Sequence, residues 1–234
     1  VGTGVYDTRA PLFGASVDLD GDRAVFSLYQ AYSGWVPLIN GDIGIPGDSG
    51  AKLYERDPSN GMWTSQGVYG NSRVSSIALD GDHLWGGYAN GNADTPDSLA
   101  GFGEATATDL STDTPPQSQL LSTIEPVVST GSALAIWGNT ALLAAGPDYL
   151  PDHVLVFELG SSGWEWTQTL RDPTATGFGQ TLSLHGDIAA IGSEYRTYLF
   201  AKGEQGWLLQ ETFQSPGGQV HGDRLVMQRK EVFR

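Results

Sequence analysis

The chain of 234 residues has no cysteine, which excludes disulfide staples, thiol catalysis and cysteine-based metal sites. Basic residues are scarce as well: 12 Lys and Arg stand against 27 Asp and Glu, for a net charge of −15. Nucleic-acid phosphates demand a basic surface, so no nucleic-acid partner is expected. Long apolar runs are missing, and none approaches the ~18 residues of a transmembrane helix. No charged-then-apolar leader opens the chain. It starts on Val1 rather than Met, which reads as a mature or trimmed product. Helical periodicity is absent, as are GxSxG, HExxH and a phosphate loop. The glycine-rich "GDIGIPGDSG" precedes no helix that would bind phosphate.

What the chain does have is turn chemistry. Its 32 Gly and 12 Pro punctuate a sequence that is 39% hydrophobic, so it folds and reverses direction often. The motif Leu-Asp-Gly-Asp occurs at Leu19–Asp22 and again at Leu79–Asp82, each copy between two alternating apolar stretches. Weaker copies are Trp137-Gly138-Asn139, His185-Gly186-Asp187 and His221-Gly222-Asp223. Period-two patterning about a Gly-Asp or Gly-Asn turn predicts a hairpin. A third strand recurs as "AKLYER", "EATATDL", "HVLVFEL", "TYLFAK" and "KEVFR". A fourth recurs as "GMWTSQGVY", "SQLLSTI", "GWEWTQTL" and "GWLLQETF".

Four antiparallel strands per unit, repeated five times, predict an all-β fold: a five-bladed β-propeller forming a single domain over residues 1–234. The blades fall at about 12–69, 70–124, 125–172, 175–214 and 215–234, the last completed by residues 1–8. That completion rests on Gly4-Val5-Tyr6, which repeats Gly67-Val68-Tyr69 from a fourth strand. An N-terminal strand joining the C-terminal blade closes the ring and removes open edges.

Phe13-Gly14, Phe178-Gly179 and "ALLAAGP" (141–147), with the glycine-tryptophan fourth strands, carry a family resemblance. The unit resembles the FG-GAP repeat of integrin-like propellers, in a short-turn bacterial variant. The resemblance implies an extracellular, periplasmic or cell-surface protein, and in some members a calcium loop. Calcium takes about six to eight oxygens. Asp20-Gly21-Asp22 and Asp80-Gly81-Asp82 bring two carboxylates each, and Trp137, His185 and His221 replace the first Asp elsewhere. These carboxylates therefore read as turn chemistry, and no metal or cofactor is expected. The acids left over for calcium, Asp42, Asp48, Asp94 and Asp97 beside Asn92, lie at no recognisable spacing.

Five-bladed glycoside hydrolases need two carboxyl groups facing across a sugar, about 5–9.5 Å apart. Asp18 is the one acid inside a predicted inner strand; those faces otherwise carry Ser16, Ser75, Ser132, Thr181 and Gln219. The expected protein is not an enzyme, and His83, His185 and His221 read as solvated hairpin tips. Binding is expected on the long loop 27–49, where Tyr29, Tyr32, Trp35 and Ile39 accompany Asp42 and Asp48. Tyr29, Tyr88, Tyr149 and Tyr195 each follow the second strand of a blade. They form either aromatic platforms on one face or packing at the seams between blades. Trp63, Trp164, Trp166 and Trp207 read as cover for the exterior. The expected function is a non-catalytic binding propeller that engages a protein partner or the subunits of an assembly. A glycan-binding lectin and a glycoside hydrolase are the alternatives.

Overall fold

Four Gly-Asp or Gly-Asn turns among the described residues close tight hairpins because their glycines adopt a left-handed conformation. The φ values are +57° at Gly21, +55° at Gly81, +54° at Gly138 and +57° at Gly186. The computed structural model describes residues 12–29, 50–69, 74–88, 104–111, 118–121, 130–146 and 150–214. Four antiparallel sheets result, each a meander in sequence order. The first contains β1 (Leu12–Asp20), β2 (Arg23–Tyr29), β3 (Gly50–Arg56) and β4 (Trp63–Tyr69). The second contains β5 (Ser76–Asp80), β6 (His83–Tyr88), β7 (Glu104–Asp109) and β8 (Ser118–Leu120). The third contains β9 (Leu134–Trp137), β10 (Thr140–Ala145), β11 (His153–Gly160) and β12 (Gly163–Arg171). The fourth contains β13 (Thr181–His185), β14 (Ile188–Gly192), β15 (Arg196–Gly203) and β16 (Gly206–Gln214). The predicted fifth unit, 215–234 with 1–8, lies outside the described residues.

Two boundaries differ from expectation. Ser27 belongs to β2, fully buried, and its hydroxyl accepts the Ser16 N–H at 2.9 Å, so residues 27–29 of the predicted loop are strand. In the segment "SQLLSTI" the strand covers Ser118–Leu120 and stops before Leu121, and residues 122–124 lie outside the described residues.

The sheets stack face to face. β10 reads "TALLAA" and is buried throughout. Its alternate residues Ala141, Leu143 and Ala145 join Trp85, Ala107 and Ile136 in one core layer. Leu142 and Ala144 face the other way and pack with Val154, Val156, Phe178, Ile191 and Tyr198. A third layer, Val25 and Leu53 with Ile77, Leu79 and Leu84, joins the first two sheets. A strand buried on both faces loses its polar alternation, which is why β10 is continuously apolar.

Side chains also stitch one sheet to the next. β5 is the edge strand of the second sheet. Ser16 Oγ accepts the Ile77 N–H at 3.1 Å, Asp18 Oδ2 the Leu79 N–H at 2.7 Å, and Asp20 Oδ2 the Gly81 N–H at 2.7 Å. The offset is 61 residues in all three bonds, because alternate side chains on β1 and alternate amides on β5 share one two-residue repeat. Asp80 continues the pattern by accepting the Gly138 N–H. The first Asp of the repeated motif thus does more than turn its own hairpin: it holds the turn of the next sheet. In the third copy Trp137 takes the Asp position and packs on His185, with ring centroids 4.3 Å apart.

At the outer strands a glutamine replaces the carboxylate. Gln119 donates from Nε2 to the Trp164 carbonyl at 2.8 Å and accepts the Trp164 N–H at 2.9 Å. Trp164 and Trp207 are 7% and 3% exposed, so they are inter-sheet core and not exterior cover; Trp63 and Trp166, at 42% and 46%, do lie outside. His83 packs edge-on against Trp164, with centroids 5.5 Å apart. Together with the Trp137 contact to His185, this corrects the solvated-tip reading of both histidines; His221 is outside the described residues.

Candidate functional site

Most residues predicted to bind lie outside the described part of the chain: Tyr32, Trp35, Ile39, Tyr149, Asp42, Asp48, Asp94 and Asp97. Tyr29 and Tyr88 end β2 and β6, where their backbones pair with Leu12 and Glu104. Tyr195 is described in full. It is 43% exposed on the β14–β15 connection, and its hydroxyl donates to Glu194 Oε1 at 2.6 Å. That bond raises the phenol above its usual 10.0, and the Glu194 charge adds to the rise.

Tyr195 stands at a cavity of about 400 Å³. One wall is the β12–β13 connection, with Thr174, Ala175 and Thr176; the other is Ser193, Tyr195 and Arg196, with Gln214 at the end of β16. The sequence Asp172-Pro173-Thr174 builds the first wall as an Asx turn. Asp172 Oδ1 accepts the Thr174 N–H at 2.8 Å and its hydroxyl at 2.7 Å. Asp172 Oδ2 accepts the Tyr198 hydroxyl at 2.7 Å and Arg196 Nη1 at 3.1 Å. Arg196 Nη1 also donates to Thr174 Oγ1 at 2.9 Å. Backbone bonds from Glu194 to Thr176 and from Gly179 to Gly192 tie the walls together.

Burial alone would raise the Asp172 carboxyl. The Thr174 and Tyr198 hydrogen bonds and the Arg196 charge outweigh it, holding the group below the usual 3.8. Tyr198 shifts upward, first through burial and then through its bond to Asp172. The cavity therefore has fixed walls and a cation already neutralised by its own carboxylate. Two residues beyond Thr176, Phe178 is fully buried against Tyr198 and Phe200, at centroid distances of 5.0 and 6.3 Å. Its neighbour Gly179 lets the loop pass close to the third sheet, where a Cβ would stand 2.9 Å from Val154.

Sequence reading missed Asp172, Thr174, Arg196 and Tyr198. The Asp-Pro-Thr turn is a legible signal, but Arg196 and Tyr198 lie on a strand more than twenty residues on, and only sheet pairing returns them to Asp172.

The inner-strand acids are placed differently. Asp18 accepts the Leu79 and Leu19 amides, and Asp20 and Asp80 accept turn amides of neighbouring sheets. Ser75 donates to the Gly87 carbonyl, while the Ser132 hydroxyl is buried without a hydrogen-bond partner. Buried His153 is held through Nδ1 by Asp152 on the β10–β11 connection. Among the described residues no group of three or more metal-ligating side chains gathers, and no helix is long and apolar enough to cross a membrane.

No family model matches the chain, and no curated protein matches it. Among solved structures it is similar to YjhT, at 12% identity and a TM-score of 0.51, over 89% of this chain and 68% of that one. A chain of the mitotic checkpoint complex aligns at 11% identity and a TM-score of 0.44, over 91% of this chain and 67% of its own. With the four stacked meanders, the first likeness defines a propeller-type all-β fold.

Proposed function

We propose that this chain is a non-catalytic extracellular, periplasmic or cell-surface propeller of FG-GAP type that engages a protein partner, or the subunits of an assembly, through its loop face. The observation that carries the non-catalytic reading is the fate of the inner acids. Asp18, Asp20 and Asp80 each accept a backbone amide from a neighbouring sheet, so they act as fasteners and not as an opposed acid–base pair. In this reading the partner is met by the long loop 27–49, through Tyr32, Trp35 and Ile39. No cofactor is part of this reading, and calcium at Asp42, Asp48, Asp94 and Asp97 is its one optional ion.

Five blades suit the exposed faces at either end of the sheet stack. Val17 and Leu19 of β1 are 59% and 63% exposed, and Ile188, Leu208 and Phe213 on the far side of the fourth sheet are 42%, 49% and 42% exposed. A fifth blade from 215–234 and 1–8 would cover both.

The test is cross-linking of the intact chain to partners from its source. The expected result is cross-links within residues 27–49 that disappear in Tyr32→Ala/Trp35→Ala while the melting curve stays in place. Collapse of the melting curve would make the loop a plug. Hydrolysis of arabinan or fructan that Asp18→Asn abolishes would replace the reading with a glycoside hydrolase.

A further inference from the structure

The cavity beside Tyr195 is a small-ligand site, distinct from the aromatic loop assigned to a protein partner. We infer that it takes a neutral, hydroxyl-rich ring, a saccharide unit lying against Tyr195. Its volume of about 400 Å³ falls within the range of small-molecule sites, about 300–1,000 Å³.

Charge narrows the ligand class. The cationic group in the lining, Arg196, is already paired with Asp172 at 3.1 Å, and Glu194 is engaged by the Tyr195 hydroxyl at 2.6 Å. An anionic ligand would find the guanidinium already paired, on a chain of net charge −15, and a cationic ligand would find no carboxylate in the lining. A neutral ligand incurs neither penalty. Of the remaining lining, the Thr176 hydroxyl and the Gln214 amide can both donate and accept, and the Tyr195 oxygen can accept while its proton is held by Glu194; the Ser193 hydroxyl is turned to the Arg196 backbone. Sugar hydroxyls have that same dual character.

Geometry supports stacking. The hydroxyl bond to Glu194 fixes the Tyr195 ring, which is 43% exposed and so offers an apolar surface to the C–H face of a sugar. The four bonds accepted by Asp172 hold the opposite wall before any ligand arrives, which lowers the ordering cost of binding.

The experiment is saturation-transfer NMR on the whole chain with glucose, galactose, mannose and xylose, and with glucuronate as the charged control. At least one neutral sugar should bind saturably, Tyr195→Ala should weaken it about tenfold, and Thr176→Val should weaken it to a lesser degree. Tyr195 is exposed, so its variant should melt as the parent does; Thr176→Val keeps the side-chain shape and guards against a folding artefact. Absence of binding by every neutral sugar, equal binding by both variants, or preference for glucuronate or a peptide would overturn the assignment. Partner cross-linking through residues 27–49 is measured separately, so either reading can fail without the other.

Discussion

Gln168 grips the backbone of Trp207 from the neighbouring sheet, donating to its carbonyl at 2.8 Å and accepting its N–H at 2.8 Å. Gln119 does the same to Trp164 one sheet earlier. The glycine before each tryptophan makes room. A Cβ on Gly206 would stand 2.6 Å from Gln168 Oε1, and one on Gly163 would stand 2.7 Å from Gln119 Oε1. The glycine-tryptophan pair of the repeat is thus the receiving half of an inter-sheet clamp. Gln168→Ala is expected to cost about 1–3 kcal/mol in denaturant unfolding, since it orphans two backbone groups. Gly206→Ala should destabilise as well, because φ there is +90° and the clamp must yield. A double-mutant cycle should show the two effects to be less than additive.

Phe178 is the buried aromatic of the phenylalanine-glycine pair and touches two other rings. Phe178→Ala is expected to lower stability by about 3–5 kcal/mol, read from chemical denaturation. A loss under 1 kcal/mol would mean that the seam between the third and fourth sheets closes around the gap.

Asp18 gives stability an acid-side slope. Burial raises its carboxyl above 3.8, and Asp20 and Asp80 add to the rise, against hydrogen bonds from Leu79 and Leu19. Its folded form holds the proton more tightly than the unfolded form. The contribution is therefore fullest below 3.8 and is lost as pH rises through the raised folded value. Asp18→Asn should flatten stability against pH in that window, measured by melting at stepped pH.

Asp172 works with the opposite sign. Its carboxyl is held below 3.8 in the fold, so its stabilisation is present above 3.8 and is lost as pH falls through the lowered folded value. Asp172→Ala should cost about 1–3 kcal/mol at neutral pH, because it strips the buried Tyr198 hydroxyl of its acceptor. Amide exchange at Thr174 should accelerate in that variant, while exchange in β10 should not.

Local pattern carried much of the fold. Strands and turns followed from alternation and from Gly-Asp or Gly-Asn pairs, so four meanders were readable before any contact was known. Partner choice across the seams was not readable. Asp20 resembles a calcium-loop acid and serves as an acceptor for Gly81. His185 resembles a wet hairpin tip and lies on Trp137. Nothing within ten residues of either distinguishes these states.

The sequence by itself determined which of the described segments are strands and where they reverse, because alternation and left-handed turns are properties of neighbours along the chain. Only the tertiary structure decided that Trp164 and Trp207 are core, that inner acids serve as fasteners, and that Asp172, Arg196 and Tyr198 frame the cavity beside Tyr195. Those outcomes depend on how sheets stack, which brings together residues that chain order keeps apart.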